Sequence, residues 1–490
     1  MTGTREPVVF TLDGERITGQ AGDTLAAALL RAGTTTFTRS IKYHRPRGPF
    51  CLAGSCGQCL VRVDGVPSLP ACCIDVKEGM ACERQNGPLG LVDSDLFRAV
   101  DFLFHGGLDH HHLMIQSRLL GKVTLEVARR LAGLGTLPDR PQPPLAGGSR
   151  AVPLVIVGAG PAGLSAARAA LEAGRAPGAT GEVRVLVLER DGTPGGAARL
   201  GLASAVGGPA LTAEAAALAG TPGVELLTRA EVIGLYPDES AHGDALLAVR
   251  HAGRLLAVRA RRVIVATGGT SQPLPFPGVD RPGVHAARGL LDLHRRSGVL
   301  AGAAPHRLAV VGEGSELVGC ARALRDAGYQ LAAVVDASEA GPPGAPRAPE
   351  SPDLPLLRGA PVRARGNPVA ELQISVNGKL TKIRCDAIAV ALPPAPLHDL
   401  ASSAGADAAW DAGQGGFPLR AGPDGRTSVG WLFAAGTAAG RGGGEAGSSG
   451  TAAGRAAGGE AQALAAAAVA GGAPEGGSQF VSQVNDGAQV

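Results

Sequence analysis

At 490 residues the chain is long enough for about three domains of roughly 150 residues each. Hydrophobic residues make up 45% of it and aromatics only 3%, so a sizeable core must be packed mainly with Ala, Val and Leu. A net charge of +3, with acids and bases interspersed, offers no basic stripe and argues against nucleic acid as a partner. The opening residues Met1 to Glu6 lack the apolar run of a signal peptide, and no stretch approaches the roughly 18 uninterrupted apolar residues of a membrane span. The expected location is therefore cytoplasmic, where the eight cysteines are more readily ligands or buried thiols than disulfides.

Val8 to Thr18 reads as two short strands around Asp13-Gly14, a strong hairpin signal. Asp23 follows as an N-cap before Thr24 to Arg31, and Gly33 closes that short helix. A second hairpin, Leu60 to Pro70, turns at Asp64-Gly65. Hairpin, helix, cysteine loop and hairpin together suggest a β-grasp ferredoxin over residues 1–90. Residues 91–150 read as a helical connector ending in a linker, Pro138 to Gly148. From Val152 the pattern becomes strand, glycine turn and helix, repeated. An FAD-binding domain is expected over 151–270 and 394–475, with a degenerate NAD-like dinucleotide domain inserted at 271–393. Ala456 to Ala470 is a candidate last helix, and 476–490 a flexible tail.

Cys51, Cys56, Cys59 and Cys72 are spaced C-x4-C-x2-C-x12-C, and the first three reproduce the plant-type [2Fe–2S] loop. Two ferric ions bridged by sulfides need four thiolates converging from one side. Ala53, Gly54, Ser55 and Gly57 let the backbone curl closely around them, and the second hairpin returns Cys72 to the site. Zinc or inert thiols are the alternative, but zinc usually shows paired C-x2-C units and only one is present. Cys73 adjoins Cys72. Neighbours on a strand face opposite ways, so only one can be a ligand, and Cys72 is preferred. Cys82, Cys320 and Cys385 read as structural.

Leu154 to Val157 is an apolar strand running into Gly158-Ala-Gly160-Pro161-Ala162-Gly163 and a helix, the context that gives a G-x-G-x-x-G its meaning. Gly158 makes the turn, Gly160 admits the pyrophosphate and Gly163 lets helix pack on strand. The next strand ends at Glu189, placed to accept hydrogen bonds from the adenosine ribose, with Arg190, Gly196 and Arg199 just beyond. Two later apolar strands end at Ala266-Thr267-Gly268 and at Gly436-Thr437, places that contact FAD in two-dinucleotide-binding flavoproteins. Gly195-Gly196 and the Ala-Thr-Gly turn favour FAD over NAD. A second fingerprint, Gly312-Glu-Gly314-Ser-Glu-Leu317 with Asp336, departs from the pattern. Leu317 replaces the third glycine, and Glu313 and Glu316 bring negative charge towards any pyrophosphate. NAD(P) binding there is disfavoured.

Asp109-His110-His111-His112 reads as an interface or loop cluster rather than a metal site, because three consecutive histidines cannot face one ion. The run Lys42 to Arg47 is either a solvated face or a place for an anionic cofactor or partner. No Ser/His/Asp constellation is evident, and no catalytic residue is assigned. No C-x-x-C lies beside the flavin strands, which argues against a disulfide reductase.

Arg39-Ser-Ile-Lys-Tyr-His-Arg-Pro-Arg-Gly48, preceded by Gly22-Asp-Thr-Leu-Ala-Ala-Ala-Leu-Leu30, resembles the N-terminal region of the sarcosine oxidase alpha subunit family. With the cysteines added, the chain is similar to the ferredoxin-plus-flavoprotein alpha subunits of D-hydroxyproline dehydrogenase, opine oxidase and hydrogen cyanide synthase. The likeness extends to about residue 270 through the glycine fingerprint and Ala-Thr-Gly-Gly. It implies an α/β multidomain chain, a β-grasp [2Fe–2S] ferredoxin followed by a glutathione-reductase-like flavoprotein of two dinucleotide folds. It also implies an oxidase-like FAD beta subunit that oxidises a C–N bond and passes electrons to this chain, and onward to a terminal acceptor. Expected cofactors are FAD and a [2Fe–2S] cluster, with FMN at a subunit interface as an additional candidate. The folate-binding C-terminal half of sarcosine oxidase alpha is not expected here. No cysteine follows Cys385, so the further cluster of many such subunits is not expected. A self-contained NAD(P)H-dependent reductase is the rival reading, and a scaffold that has lost its NAD site a third.

Overall fold

The computed structural model describes residues 5–41, 43–87, 92–99, 146–174, 184–202, 208–238, 245–302, 304, 306–339 and 346–470. The expectations for Lys42, for the Asp109–His112 run, for most of the 91–150 connector and for the 476–490 tail lie outside these residues. The chain divides into two compact units, Met1–Gln142 with Thr270–Pro394, and Pro143–Gly269 with Ala395–Val490.

The first unit begins with a five-stranded sheet ordered Glu15–Gln20, Pro7–Leu12, Ala81–Arg84, Leu60–Val63, Val66–Pro70. The pair Pro7–Leu12 and Ala81–Arg84 is parallel and the other pairs are antiparallel, the β-grasp arrangement. Both hairpins turn on Asp-Gly with positive φ at each residue, 52° and 88° at Asp13-Gly14 and 49° and 81° at Asp64-Gly65. Such turns match the right-handed strand twist. The helix packed on this sheet, Leu25–Arg31, is capped by Thr24, whose Oγ1 accepts the Ala27 amide at 3.2 Å. This corrects the expected Asp23 cap. Asp23 is fully buried and spends both carboxylate oxygens on Arg5 and Arg31, each at 2.9 Å.

The same unit carries a five-stranded parallel sheet in the order Val284–Ala286, Ala387–Ala391, Arg307–Gly312, Gln330–Asp336, Leu356–Arg358. The Ala287–Ser297 and Gly314–Asp326 helices flank it, and a three-stranded antiparallel sheet spans Ala360–Arg384.

The second unit is a seven-stranded sheet. Val224–Leu227, Val185–Leu188, Ala146–Val157, Arg254–Val265 and Leu432–Ala434 run parallel, and Ala245–His251 and Ala230–Pro237 complete it antiparallel. The Ala146–Val157 strand starts inside the expected linker, because Ala146 to Gly148 pair with Arg254 to Leu256. The last helix is Ala446–Ala470, ten residues longer than expected at its start. Its glycines are poor helix formers alone, but they are what the packing requires. A Cβ on Gly450 would lie 2.0 Å from the Ala162 carbonyl oxygen, and one on Gly454 2.2 Å from that of Ala166. Gly458 stands in the same relation to Ala170, 2.8 Å from its Cα. Spaced four apart, these glycines form one face and seat the Pro161–Gly174 helix, which opens on the glycine fingerprint.

Candidate cofactor sites

In the ferredoxin module the chain from Cys51 to Cys59 is an irregular loop whose curl rests on left-handed backbone at Leu52, Gly54 and Gly57, with φ of 54°, 78° and 64°. It brings together Cys51, Cys56, Cys59 and Cys72. The sulfurs of Cys59 and Cys72 are 3.4 Å apart, and Cys51 is hydrogen-bonded to Cys56 and to Cys72. The Gly54 amide donates to the Cys72 sulfur at 3.2 Å and the Ala53 amide to Cys51 at 3.4 Å, bonds that favour thiolate. Sharing of protons holds the Cys51 thiol well below the usual range, chiefly through Cys56, and pushes Cys72 up, chiefly through Cys51.

Among the described residues no three His, Cys, Asp or Glu side chains converge as ligands of a single ion. The contacts 51–56, 51–72 and 59–72 instead join the four thiols into one group, which suits a cluster that takes four thiolates. Cys72 and Cys73 sit on one 3-10 turn, Ala71–Cys73, and not on a strand, so the expected argument from strand alternation does not apply. Burial separates them: Cys72 is 5% exposed, whereas Cys73 is exposed, its sulfur 3.8 Å from that of Cys72. Cys82 and Cys385 are buried, and burial pushes both thiols up to about 12; burial likewise raises the Cys320 thiol well above the ordinary thiol range.

Of the basic run, Arg47 is paired with Asp280 at 3.4 Å and the Arg45 guanidinium lies 5.1 Å from the Tyr43 ring centroid. Arg39, just before it, is buried and donates to the carbonyls of His44 and Val92 and to Asp95. Its role in the N-terminal motif is to hold the loop.

In the second unit Gly158 has φ +105°, and a Cβ there would meet the Ala266 carbonyl oxygen at 2.4 Å. On Gly163 it would lie 1.8 Å from the Gly158 carbonyl oxygen, so only glycine lets this helix sit on this strand. Gly160 is different. The nearest atom to a Cβ there is Gly196 Cα at 4.0 Å, so the chain itself leaves that space open for a ligand to approach the amides that start the helix. Gly196 faces it with φ +51°. Glu189 is 9% exposed, just past the Val185–Leu188 strand, and accepts the Ala159 and Asp191 amides, both at 2.8 Å. Burial raises its pKa and the two amides oppose that rise. Arg199 is buried and paired with Asp191 at 2.9 Å. Thr267 Oγ1 donates to the Leu397 carbonyl at 2.8 Å, and the Gly436 amide donates to Ser449 Oγ at 3.2 Å. Sequence reasoning missed Asp191, Ser449 and the Gly450–Gly454–Gly458 face; only the last left a signal, glycine at every fourth position.

These residues fit an adenine dinucleotide: an open glycine gap at a helix start and a buried acid at the second strand's end. Replacing Glu189 by Ala removes one charged acceptor worth about 1.5–3 kcal/mol. FAD affinity measured by fluorescence titration should fall by roughly 10- to 100-fold, and Glu189→Gln should fall less.

Residues 5–87 match the model of the 2Fe-2S iron-sulfur cluster binding domain, and residues 152–468 that of pyridine nucleotide-disulphide oxidoreductases. The chain belongs to the pyridine nucleotide-disulphide oxidoreductase family, with a [2Fe–2S] ferredoxin domain at its N-terminal side, and its cofactors are FAD and the cluster. It is a homologue of the sarcosine oxidase alpha subunit, 31% identical over 434 residues to that of Rhizobium meliloti (strain 1021), covering 84% of this chain and 42% of the relative. The hydrogen cyanide synthase subunit HcnA of Pseudomonas aeruginosa is 32% identical over 82 residues, 17% of this chain and 78% of that one. The chain thus spans less than half the length of the sarcosine oxidase subunits it matches. In fold it resembles L-proline dehydrogenase from P. horikoshii, with a TM-score of 0.63 and 19% identity over 96% of this chain and 75% of that one. No helix among the described residues is long and apolar enough to cross a membrane.

Proposed function

We propose that this oxidoreductase chain is the electron-transfer subunit of a hetero-oligomeric amine or imino-acid dehydrogenase or oxidase. It receives electrons from an oxidase-like FAD partner subunit and delivers them to a separate acceptor. The observation that carries this reading is the likeness to sarcosine oxidase subunit alpha, which runs through 84% of the chain.

Cys51, Cys56, Cys59 and Cys72 hold the cluster. Gly158, Gly160, Pro161, Ala162 and Gly163 receive the FAD pyrophosphate, with Glu189 on the ribose. Arg190, Gly196, Arg199, Ala266, Thr267, Gly268, Gly436 and Thr437 line the remainder of the flavin site. When bound, FAD exchanges electrons in pairs or singly, whereas the cluster carries one at a time, so the two together match a two-electron oxidation to a one-electron carrier. The chain's own residues bind and orient these groups; substrate oxidation belongs to the partner.

Holoprotein purified alone should reduce an artificial dye with none of proline, hydroxyproline, sarcosine, glycine or an opine, and activity should appear when the oxidase-like partner is added. Steady amine turnover by the isolated chain would sink the reading.

A further inference from the structure

The chain contains its own control for the second dinucleotide fold. Gly312, Gly314, Leu317 and Asp336 stand where Gly158, Gly160, Gly163 and Glu189 stand in the first, at the end of one parallel strand, the start of a helix and the end of the next strand. In the first fold the space over the middle glycine is open. In the second it is filled: a Cβ on Gly314 would lie 3.2 Å from the ring carbons of Pro346 and 3.6 Å from its carbonyl oxygen. The acids have parallel partners and differ in burial and in where the second partner comes from. Glu189, 9% exposed, accepts the Asp191 amide and the Ala159 amide of its own glycine turn. Asp336 is fully buried, its Oδ1 taken by the Ser338 amide and its Oδ2 by the Ala348 amide, both at 3.1 Å.

The stretch beyond is anchored. Ala348, Ser351 and Leu354 are buried, and Arg322 grips Ser351 at 2.7 Å and Asp353 at 2.8 Å. Glu313, 7% exposed, adds a carboxyl beside this cradle whose pKa is raised by burial and by Asp336. Glu316 does not add to it as the sequence suggested, since Arg288 binds it bidentately at 2.6 and 2.9 Å.

We infer that residues 346–348 occupy the nucleotide place of the second fold, so that a domain whose family is named for pyridine nucleotides takes none here. Pro346 stands over the glycine turn and the Ala348 amide stands in for a ribose hydroxyl. What the fold binds instead is the ferredoxin loop of its own unit. The Ala286 amide donates to the Phe50 carbonyl at 2.9 Å, and His285 Nδ1 lies 2.6 Å from the Pro49 carbonyl oxygen. Gly289 is close enough to the loop that a Cβ would lie 2.4 Å from the Cys51 carbonyl oxygen. The nucleotide face is closed and the opposite strand edge has become the seat of the cluster loop.

The test uses holoprotein with both cofactors. NADH and NADPH at millimolar concentration should give no saturation-transfer NMR signal and leave the flavin absorbance unchanged under anaerobic conditions. The Ala348 amide should exchange with solvent more slowly than a free amide by roughly 10-fold or more, the factor a hydrogen bond to a charged acceptor is worth. Ala348→Pro, which removes that donor, should expose 346–354 to exchange and proteolysis with FAD and iron content unchanged. Micromolar binding of either nucleotide, or an unprotected Ala348 amide in the wild type, would overturn the inference. These readouts need no partner subunit, so they stand apart from the test of the proposed function.

Discussion

Gly160→Val is expected to yield a folded chain that purifies without flavin. The three fingerprint glycines are constrained by different things, and that difference makes the experiment specific. At Gly158 and Gly163 a side chain collides with the protein's own backbone, 2.4 Å from Ala266 O and 1.8 Å from Gly158 O, so substitution there should cost stability with or without cofactor. At Gly160 a Cβ meets nothing nearer than Gly196 Cα at 4.0 Å, an ordinary contact, so the apoprotein should accept a side chain far better there than at the other two glycines, whereas the pyrophosphate should not. The readout is the ratio of flavin to protein absorbance together with the thermal midpoint. Flavin should drop to a trace while the midpoint stays near that of wild-type apoprotein. Gly163→Ala should show the reverse order of effects, a lowered midpoint first. Full flavin retention in Gly160→Val would place the cofactor elsewhere.

The first site was legible in the sequence because its parts are local. A strand, a glycine turn and a helix follow one another within Leu154–Ala173, and an acid follows the next strand. The Asp-Gly hairpins were legible for the same reason, since a two-residue turn with positive φ leaves few residue choices. What was not legible depends on partners distant in the chain. Ala446 to Arg455 is Gly/Ala-rich and lay outside the expected last helix; it packs as helix because Ala162 and Ala166 receive Gly450 and Gly454. Asp23 has the composition of a cap, but Arg5 and Arg31 claim it and Thr24 takes the cap. The return of Pro346 and Ala348 to Gly314 and Asp336 is a tertiary event that no periodicity encodes.

The largest effect is expected at the cysteines. Cys51→Ser, Cys56→Ser, Cys59→Ser and Cys72→Ser should each reduce iron from about two per chain to a small remainder and remove the visible absorbance of the cluster. A serine hydroxyl is far less acidic than a thiol and a harder, poorer ligand for iron held between sulfides. Cys73 supplies the internal control. It is exposed, while Cys72 is buried, lies 3.4 Å from Cys59 and receives the Gly54 amide at 3.2 Å, so Cys73→Ser should assemble a normal cluster. The two sulfurs are only 3.8 Å apart on one 3-10 turn, so ligand exchange can blur the single variant. Residual iron in Cys72→Ser should therefore vanish in the Cys72→Ser/Cys73→Ser double variant. Gly54→Ala joins the same argument: its φ is +78° and a Cβ would fall 2.6 Å from the Cys73 sulfur, so it should impair assembly without removing a ligand. Iron analysis and the electron paramagnetic resonance signal of the reduced proteins decide the series. Loss of the cluster in Cys73→Ser with retention in Cys72→Ser would exchange the two residues' roles and move the fourth ligand to the exposed side of the turn.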